Sequence, residues 1–356
     1  MPRVAGVDPG TVSFDLCVLD DGEPVVEEVF QAGSLSEDSR PLLEALGRHG
    51  PYDLIYGPSG YGLPLMAAAD VGERELAEMV LVRPDETHAD AGVGGMRSLL
   101  RGLVNSALPV VFGPGVIHLA SVPAHRKYNR IDMGTADKVC AAAYAIADQS
   151  ARLRLAHDQT SMVLLELGGA FTAALAVDAG QIVDGMGGSS GPLGVRAAGA
   201  LDGEAAYLLA AVLRKDTLYS GGALDPRGTL PMLDLEALWA SADLADGWTA
   251  LLEAAAKAVR ALLVSAPGPR EIVVSGRLAR LPALVEELAG LLADVAPVLA
   301  LVPGRASAAA HGGALLADAL AGGRHAALVE TLGLRASRGT ALDHLRVAGA
   351  DTIRLG

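Results

Sequence analysis

The same order of strands and turns occurs twice in the chain, once from residue 3 and again from residue 162. Each copy begins with an apolar run that ends beside an acid, Asp8 or Glu166, and a glycine-containing turn follows. Two more apolar runs, joined by a turn that contains Asp and Gly, complete the copies at residues 13–31 and 171–184. The pattern predicts a three-stranded meander in each half, and its recurrence predicts two copies of one unit.

Alternating helical and strand patterns follow each meander and predict an α/β fold of two lobes. We place an N-terminal lobe at residues 1–158 and a C-terminal lobe at residues 159–356, with a polar tail beyond Gly333 that decorates one of them. Helices are expected near residues 41–49, 96–106, 134–156, 246–265, 281–292 and 306–321, and strands at 54–56, 110–112, 272–275 and 298–302.

Composition narrows the classes of protein that remain. A net charge of −14 argues against a nucleic-acid partner. No signal-peptide pattern opens the sequence and no long uncharged apolar run occurs, so we expect a cytoplasmic protein without a membrane segment. The two cysteines, Cys17 and Cys140, have neither metal-site nor redox-motif spacing.

Two turns are the candidate phosphate loops, since no Walker A motif occurs and no GxGxxG follows a strand. They are residues 8–11, with Gly10 and Thr11, and residues 166–169, with Gly168 and Gly169. Turns of this kind direct backbone N–H groups at an anion. The acids Asp8 and Glu166 are candidate ligands of a hydrated Mg²⁺, which usually takes one or two protein carboxylates.

A third loop, Ser275-Gly276-Arg277, follows an apolar strand and opens a helical pattern, so it is a candidate contact for the nucleobase or ribose. Gly312 and Gly313, in the last strong helical pattern, are expected to let that helix pack closely against this loop.

Several segments, in this order, resemble the acetate and sugar kinase, heat-shock ATPase and actin (ASKHA) superfamily, and within it the butyrate kinases. GVDPGTVSFDL is similar to their phosphate loop NPGSTST, with Asp8 in place of Asn, and LLELGGAFTAALAVDAG is similar to their second loop AHLGGGIS. SGPLGVRAAGAL is similar to GPFSPERAGGLP, which matches Arg196 to an active-site arginine, and VVSGRLA is similar to the adenosine loop. The resemblance covers residues 3–323, and the chain is also similar to a family of predicted butyrate kinases.

The resemblance implies two duplicated ribonuclease-H-like, actin-like ATPase lobes with ATP and Mg²⁺ in the cleft between them. It implies a kinase that transfers the γ-phosphoryl group of ATP to a short carboxylic acid, and a homodimer, because such kinases are commonly dimers. Three polar groups of the family are missing, however. The helix phrase FHALN is CAAAYAI here, Pro58-Ser59 stands where GRGG has arginine, and GRASAAAHGG lacks an acid. The departures put the acyl acceptor in doubt more than the ATP site.

The possible role of Asp137 distinguishes two kinds of phosphoryl acceptor, a carboxylate and a hydroxyl. A carboxylate acceptor is already deprotonated at neutral pH and needs no base, whereas a hydroxyl acceptor gains from one. The segment GTADK resembles the GADR segment of type III pantothenate kinases, whose Asp is the base for a hydroxyl. A capping carboxylate that complements the helix dipole is the plain structural alternative. The carboxylate acceptor is favoured, and a hydroxyl acceptor with Asp137 as base stays open.

Arg196 follows the second meander in a glycine-rich loop and is the candidate charge for the moving phosphoryl group. Lys138 and Arg130, which flank Asp137, could bind an acidic substrate, but solvated charges at a helix end are the favoured interpretation. Ser59 is a candidate for the wall of the acceptor pocket.

Two other classes of function remain to be weighed. Residues 187–191 fit the GxSxG motif around Ser189, but Pro192 and further glycines follow where a nucleophile elbow needs a helix, which argues against a serine hydrolase. A non-catalytic ATP-binding regulator that has kept the lobes and lost turnover stays open.

Overall fold

The computed structural model describes residues 2–10, 13–31, 40–86, 93–227 and 234–356, and contains two mixed β-sheets. Both predicted meanders are present. The strands are β1 Arg3–Pro9, β2 Ser13–Asp20, β3 Glu23–Gln31, β4 Leu54–Tyr56, β5 Met66–Ala67, β6 Val110–Phe112, β7 Met162–Leu167, β8 Thr172–Asp178, β9 Gln181–Met186, β10 Glu271–Ser275 and β11 Val298–Ala300.

The two sheets share one topology. The first has the order β3-β2-β1-β4-β6-β5, and the second, read from its meander, has the order β9-β8-β7-β10-β11. In each, an antiparallel meander is extended by two strands that run parallel to its first strand. Strand β5 adds an antiparallel edge to the first sheet. The predicted fold class, two duplicated ribonuclease-H-like α/β units, is confirmed.

Helices cover both faces of each sheet, as the parallel connections require. They are α1 Arg40–His49, α2 Glu73–Val80, α3 Val93–Val104, α4 Ala124–Lys127, α5 Ala136–Leu153, α6 Gly203–Leu209, α7 Leu235–Trp239, α8 Ala245–Leu262, α9 Pro282–Leu291, α10 Ala308–Leu320 and α11 Ala326–Leu332. Short 3-10 turns lie at Ala68–Asp70, Pro84–Glu86, Val116–His118, His157–Gln159, Lys215–Tyr219, Ala242–Leu244, Arg277–Arg280, Leu334–Ala336 and Ala350–Thr352.

Helices α5 and α10 form the layer between the two sheets. One apolar cluster joins them to the inner faces of both sheets and includes Val4 and Tyr56 of the first sheet and Leu164 and Leu175 of the second. The outer face of the first sheet packs against α1, α2 and α3, and the outer face of the second against α8 and α9. With few aromatic residues, these cores are built from Ala, Val and Leu.

The central layer depends on glycines at backbone-to-backbone contacts. A Cβ atom added to Gly6 of β1 would lie 2.2 Å from the carbonyl oxygen of Ala310 in α10, and one added to Gly312 would lie 1.7 Å from that of Cys140 in α5. The expectation that Gly312 and Gly313 pack on the loop at Ser275 is therefore wrong. They face α5 and β1 because α10 leaves the second sheet and crosses to the first.

The chain beyond Gly333 runs along the first half of the molecule. Its Ser337 hydroxyl accepts a hydrogen bond from the backbone N–H of Leu65 at 3.1 Å, and its Gly356 N–H donates to the carbonyl oxygen of Val82 at 2.9 Å. The division of the chain between residues 158 and 159 stays a prediction. In the described part of the chain, no helix combines the length and apolar character needed to cross a membrane.

Candidate active site

A cavity of about 920 Å³ is lined by residues from both halves of the chain. Its polar lining includes residues at the ends of β1 and β7, at the starts of α5 and α10, and in the loop after β10. This volume is within the range of small-molecule sites. The predicted site residues that line it are Asp8, Gly10, Asp137, Glu166, Gly168, Gly169, Arg196, Gly276 and Arg277. Thr11 lies outside the described residues.

The two strand-end acids enter the cavity from equivalent positions. Asp8 and Glu166 are the next-to-last residues of β1 and β7, so the duplicated topology brings both side chains to one site. The ammonium of Lys138, in the first turn of α5, is within electrostatic reach of both. The two copies of the meander therefore meet around one lysine.

Lys138 is mostly buried, with 16% of its side chain exposed, and its Nζ lies 2.5 Å from Asp137 Oδ2. The interpretation of Lys138 as a solvated charge is therefore wrong, although Arg130 is exposed. The pKa of Asp137 is lowered: burial acts to raise it, and the adjacent Lys138 outweighs burial. The pKa of Lys138 is raised by Asp137, Glu166 and Asp8 against the opposing effect of burial. Spacing could not distinguish this lysine from a surface residue, since two of its three acidic neighbours, Asp8 and Glu166, come from distant strands.

Asp8 has one oxygen paired and one without a partner. Ser307, the N-cap of α10, donates from its hydroxyl to Asp8 Oδ2 at 2.6 Å and from its backbone N–H to Asp15 Oδ2 at 2.7 Å. Asp8 Oδ1 is buried without a hydrogen-bond partner among the described residues. Burial, together with the neighbouring carboxylates Asp137 and Asp15, raises the pKa of Asp8 to about 8, against the lowering effects of Lys138 and Ser307. A cation bound at Asp8 Oδ1 would give this oxygen the partner that it lacks.

These acids fit the predicted Mg²⁺ in number and kind. Within the described ranges, no three His, Cys, Asp or Glu side chains are grouped as a metal site. Mg²⁺ does not need such a group, because it keeps several waters and is commonly held by one or two carboxylates and the substrate phosphates. Asp8 and Glu166 both line the cavity, and Asp8 Oδ1 has no hydrogen-bond partner among the described residues. Mg²⁺ here stays a proposal.

Three arginines that line the cavity, Arg196, Arg277 and Arg280, form what we call the basic wall. Arg196 lies with its Nε 3.0 Å from Oδ2 of the buried Asp225, and Arg280 donates to the carbonyl oxygen of Gly304 at 3.0 Å. The pKa of Arg277 is lowered by its burial, then by the positive charges of Arg280 and Arg196. Guanidinium groups this close together favour an anion between them. Arg280 was missed by the sequence analysis.

The loop after β10 is held against β7. Gly276 has φ +85°, and a Cβ atom there would lie 2.5 Å from the carbonyl oxygen of Leu167, so only glycine fits without strain. Ser275 is fully buried, does not line the cavity and donates its hydroxyl hydrogen bond to Glu166. Ser275 is therefore placed to orient Glu166, whereas Gly276 and Arg277 border the cavity directly.

Ser189 lacks the surroundings of a hydrolase nucleophile. Its N–H and hydroxyl both donate to Asp132 Oδ2 at 2.9 Å, and residues 188–190 form a turn that no helix follows. Asp132 is buried, also accepts from the N–H of Gly134, and thereby joins the turn after β9 to the entry of α5. The sequence analysis missed it.

Ser59 borders the cavity and also supports its wall. Its hydroxyl accepts a hydrogen bond from the N–H of Gly113 at 2.9 Å. Tyr61, Met79 and Met96 line the same end of the cavity. We refer to this end, formed by residues 57–61, 79–80 and 95–96, as the apolar end.

A family model described as "Protein of unknown function (DUF1464)" matches residues 6–347, and no curated protein sequence matches the chain significantly. Among solved structures, acetate kinase from Entamoeba histolytica is similar at 11% identity over 82% of this chain and 86% of that chain, with a TM-score of 0.57. A propionate kinase from Francisella tularensis subsp. tularensis is similar at 13% identity over 88% and 99%, also with a TM-score of 0.57. Acetate kinase from Porphyromonas gingivalis gives 14% identity over 81% and 86%, with a TM-score of 0.52. At these identities the likeness shows a shared fold.

Proposed function

The chain belongs to the family described as "Protein of unknown function (DUF1464)", and we propose that it is an ATP-dependent phosphotransferase. One observation carries the proposal: two equivalent glycine turns with their acids, a buried lysine and a basic wall converge on one cavity. Phosphoryl transfer asks a protein mainly for positioning and for charges around the moving group, and this cavity offers both. The shared fold with acetate and propionate kinases supports the same assignment.

The residues divide by the part of ATP that each would bind. The backbone N–H groups at Gly10 and at Gly168-Gly169 would meet the phosphates, and Gly276 with Arg277 would border the nucleoside. Asp8 and Glu166 would hold Mg²⁺, which supplies charge neutralisation at the phosphates when bound. Arg196 would stabilise the negative charge that develops on the transferred group.

For the acceptor we propose a short carboxylic acid, as in butyrate and acetate kinases, bound at the apolar end. The electrostatics of Asp137 support this choice, because the adjacent Lys138 lowers the pKa of its carboxyl and makes the carboxylate a weak base. A carboxylate acceptor needs no base. A hydroxyl acceptor is the second candidate, favoured by the position of Asp137 on the cavity wall. ADP release measured with Mg²⁺-ATP over short carboxylates and pantothenate-like alcohols tests both, and no release with any acceptor would point to an ATP-binding regulator.

Replacing Asp137 with asparagine is expected to separate the two acceptors. Asn keeps the size and the hydrogen-bonding position but cannot take a proton, so phosphorylation of a hydroxyl should fall by about 10²-fold or more. Phosphorylation of a carboxylate should stay within about threefold, because no base is used. ADP-release rates of the wild type and D137N with the acceptor found in the screen provide the measurement. Equal losses on both acceptor classes would contradict the assignment.

Replacing Asp8 with alanine is expected to raise the Mg²⁺ concentration for half-maximal ADP release by about tenfold or more, because it removes one of two proposed carboxylates. A Mg²⁺ titration at saturating ATP measures this. Asp178→Ala is the matched control, since Asp178 is exposed at the hairpin after β8. An unchanged Mg²⁺ requirement in D8A would remove Asp8 from the proposed metal site.

A further inference from the structure

Residues 202–219, which we name the strap, leave the second half of the molecule and return to it. The strap contains α6 and the 3-10 turn Lys215–Tyr219. Both of its ends are tied to the second half: before it, the N–H of Ala200 donates to the carbonyl oxygen of Gly191 at 3.0 Å, and after it, Ala197 pairs with Gly221. Between these two ends, the strap forms hydrogen bonds with the first half of the molecule.

The middle of the strap is hydrogen-bonded to the first half. Lys215 Nζ donates to Tyr61 OH and to the carbonyl oxygen of Leu81, both at 3.2 Å, and lies 4.6 Å from the centre of the Tyr61 ring. The Lys215 backbone N–H donates to Glu86 Oε2 at 2.7 Å, and Arg83 Nη2 donates to the carbonyl oxygen of Leu213 at 3.0 Å. Four hydrogen bonds therefore hold residues 213–215 across the two halves.

The same strap forms part of the cavity wall. Asp216, Leu218 and Tyr219 line the cavity, and the Tyr219 ring packs edge-on against Phe171 with 5.0 Å between ring centres. Tyr219 also packs on the apolar cluster of the first half. Since Tyr61 lines the apolar end and accepts a hydrogen bond from Lys215, the strap lies at that end of the cavity.

The outer part of the strap has little packing of its own. Tyr207, Leu208 and Val212 are 76%, 78% and 66% exposed, and residues 202–213 contribute no side chain to the three apolar clusters found among the described residues. Segments with few buried apolar contacts open at low free-energy cost. The strap is thus held to the first half by the hydrogen bonds at residues 213–215 and by the packing of Tyr219.

We propose that the strap is a lid over the apolar end of the cavity, and that Lys215 is a positioning residue that holds it closed over the acceptor. Lys215 suits a reversible contact, because it is bound by two neutral oxygens rather than by an ion pair in the described structure. Burial lowers the pKa of its ammonium to about 8. The part of the inference that concerns the acceptor rests on the proposed function, whereas the lid itself does not.

Hydrogen exchange on the nucleotide-free protein tests the lid without any activity. Lys215→Met keeps the length of the side chain but removes both side-chain hydrogen bonds, and Glu86→Ala removes the partner of the Lys215 backbone N–H. In each variant, peptides covering residues 202–219 are expected to exchange about tenfold faster, because the loss of hydrogen bonds lowers the free energy of local opening. Peptides covering β7 and β8 should be unchanged, and Lys257→Met, at an exposed lysine of α8 paired with Glu253, should match the wild type.

Steady-state kinetics with the acceptor from the ADP-release screen test the positioning role. K215M is expected to change the KM for the acceptor by about fivefold or more while the KM for ATP stays within twofold. Unchanged exchange in both variants, or faster exchange that includes β7 and β8, would overturn the lid. Equal changes in both KM values would overturn the positioning role. If no acceptor releases ADP, the proposed function fails while the exchange result still decides the lid.

Discussion

Replacing Arg196 with alanine is expected to lower kcat for ADP release by about 10²–10³-fold, because the guanidinium is proposed to meet charge that develops only in the transition state. Arg196 borders the cavity, and its Nε is held 3.0 Å from the carboxylate of Asp225, which is 2% exposed. This ion pair fixes the side chain before substrate binds. Steady-state rates at saturating ATP and acceptor provide the measurement.

A second variant separates this role from a loss of structure. Arg196→Ala leaves Asp225 buried without this ion pair, so the single variant should also unfold at lower temperature. The double variant Arg196→Ala/Asp225→Asn should regain part of that stability, yet keep the low kcat. Arg260→Ala is the matched control, because Arg260, which lies on α8, forms an exposed ion pair with Asp294. Recovery of kcat in the double variant would mean that Arg196 acts only by neutralising Asp225.

Replacing Gly312 with alanine is expected to destabilise the protein by about 3 kcal/mol or more, which is the upper range for an overpacked core. The added Cβ would lie 1.7 Å from the carbonyl oxygen of Cys140, so α10 and α5 would have to separate. Gly6→Ala should act similarly, because its Cβ would lie 2.2 Å from the backbone of Ala310 and Ala314. The free energy of unfolding, from denaturant titration, is the measurement.

The control for these variants is Gly290→Ala. Gly290 is helical in α9, and apart from its own turn of the helix no described residue has a heavy atom within 4 Å of the added Cβ. Alanine there should stabilise the helix by up to ~1 kcal/mol, since Gly is the poorer helix former. If G312A and G290A changed stability equally, close packing would not be the reason for the glycine at 312.

Local patterns predicted the strands of both meanders and those beside them. Strands β4 and β6 match the predicted residues 54–56 and 110–112 because short apolar runs between polar turns specify buried parallel strands. Strand β5 was missed, since two residues carry no periodicity. Helices α6 and α7 were also missed, because their apolar residues are not buried in a stripe.

The site was predictable where a side chain follows a strand and unpredictable where a distant element supplies the partner. Asp8 and Glu166 were found because their turns repeat. Ser307 could have been found, since a serine before an apolar helical run is the usual N-cap, but its contact with Asp8 joins residues from opposite ends of the chain. Lys138 and Asp132 likewise gain their roles from neighbours that only the folded topology provides.

The positions of α5 and α10 in the sequence also determine when the molecule can fold during its synthesis. The inner face of β1 is covered by α10, which begins at residue 308, so a nascent chain that has left the ribosome only as far as α5 still presents that face to water. A fragment of residues 1–158 lacks its own cover for Val4 and Tyr56 and should need a chaperone or its missing half. The binding cleft therefore takes shape only when translation is nearly finished.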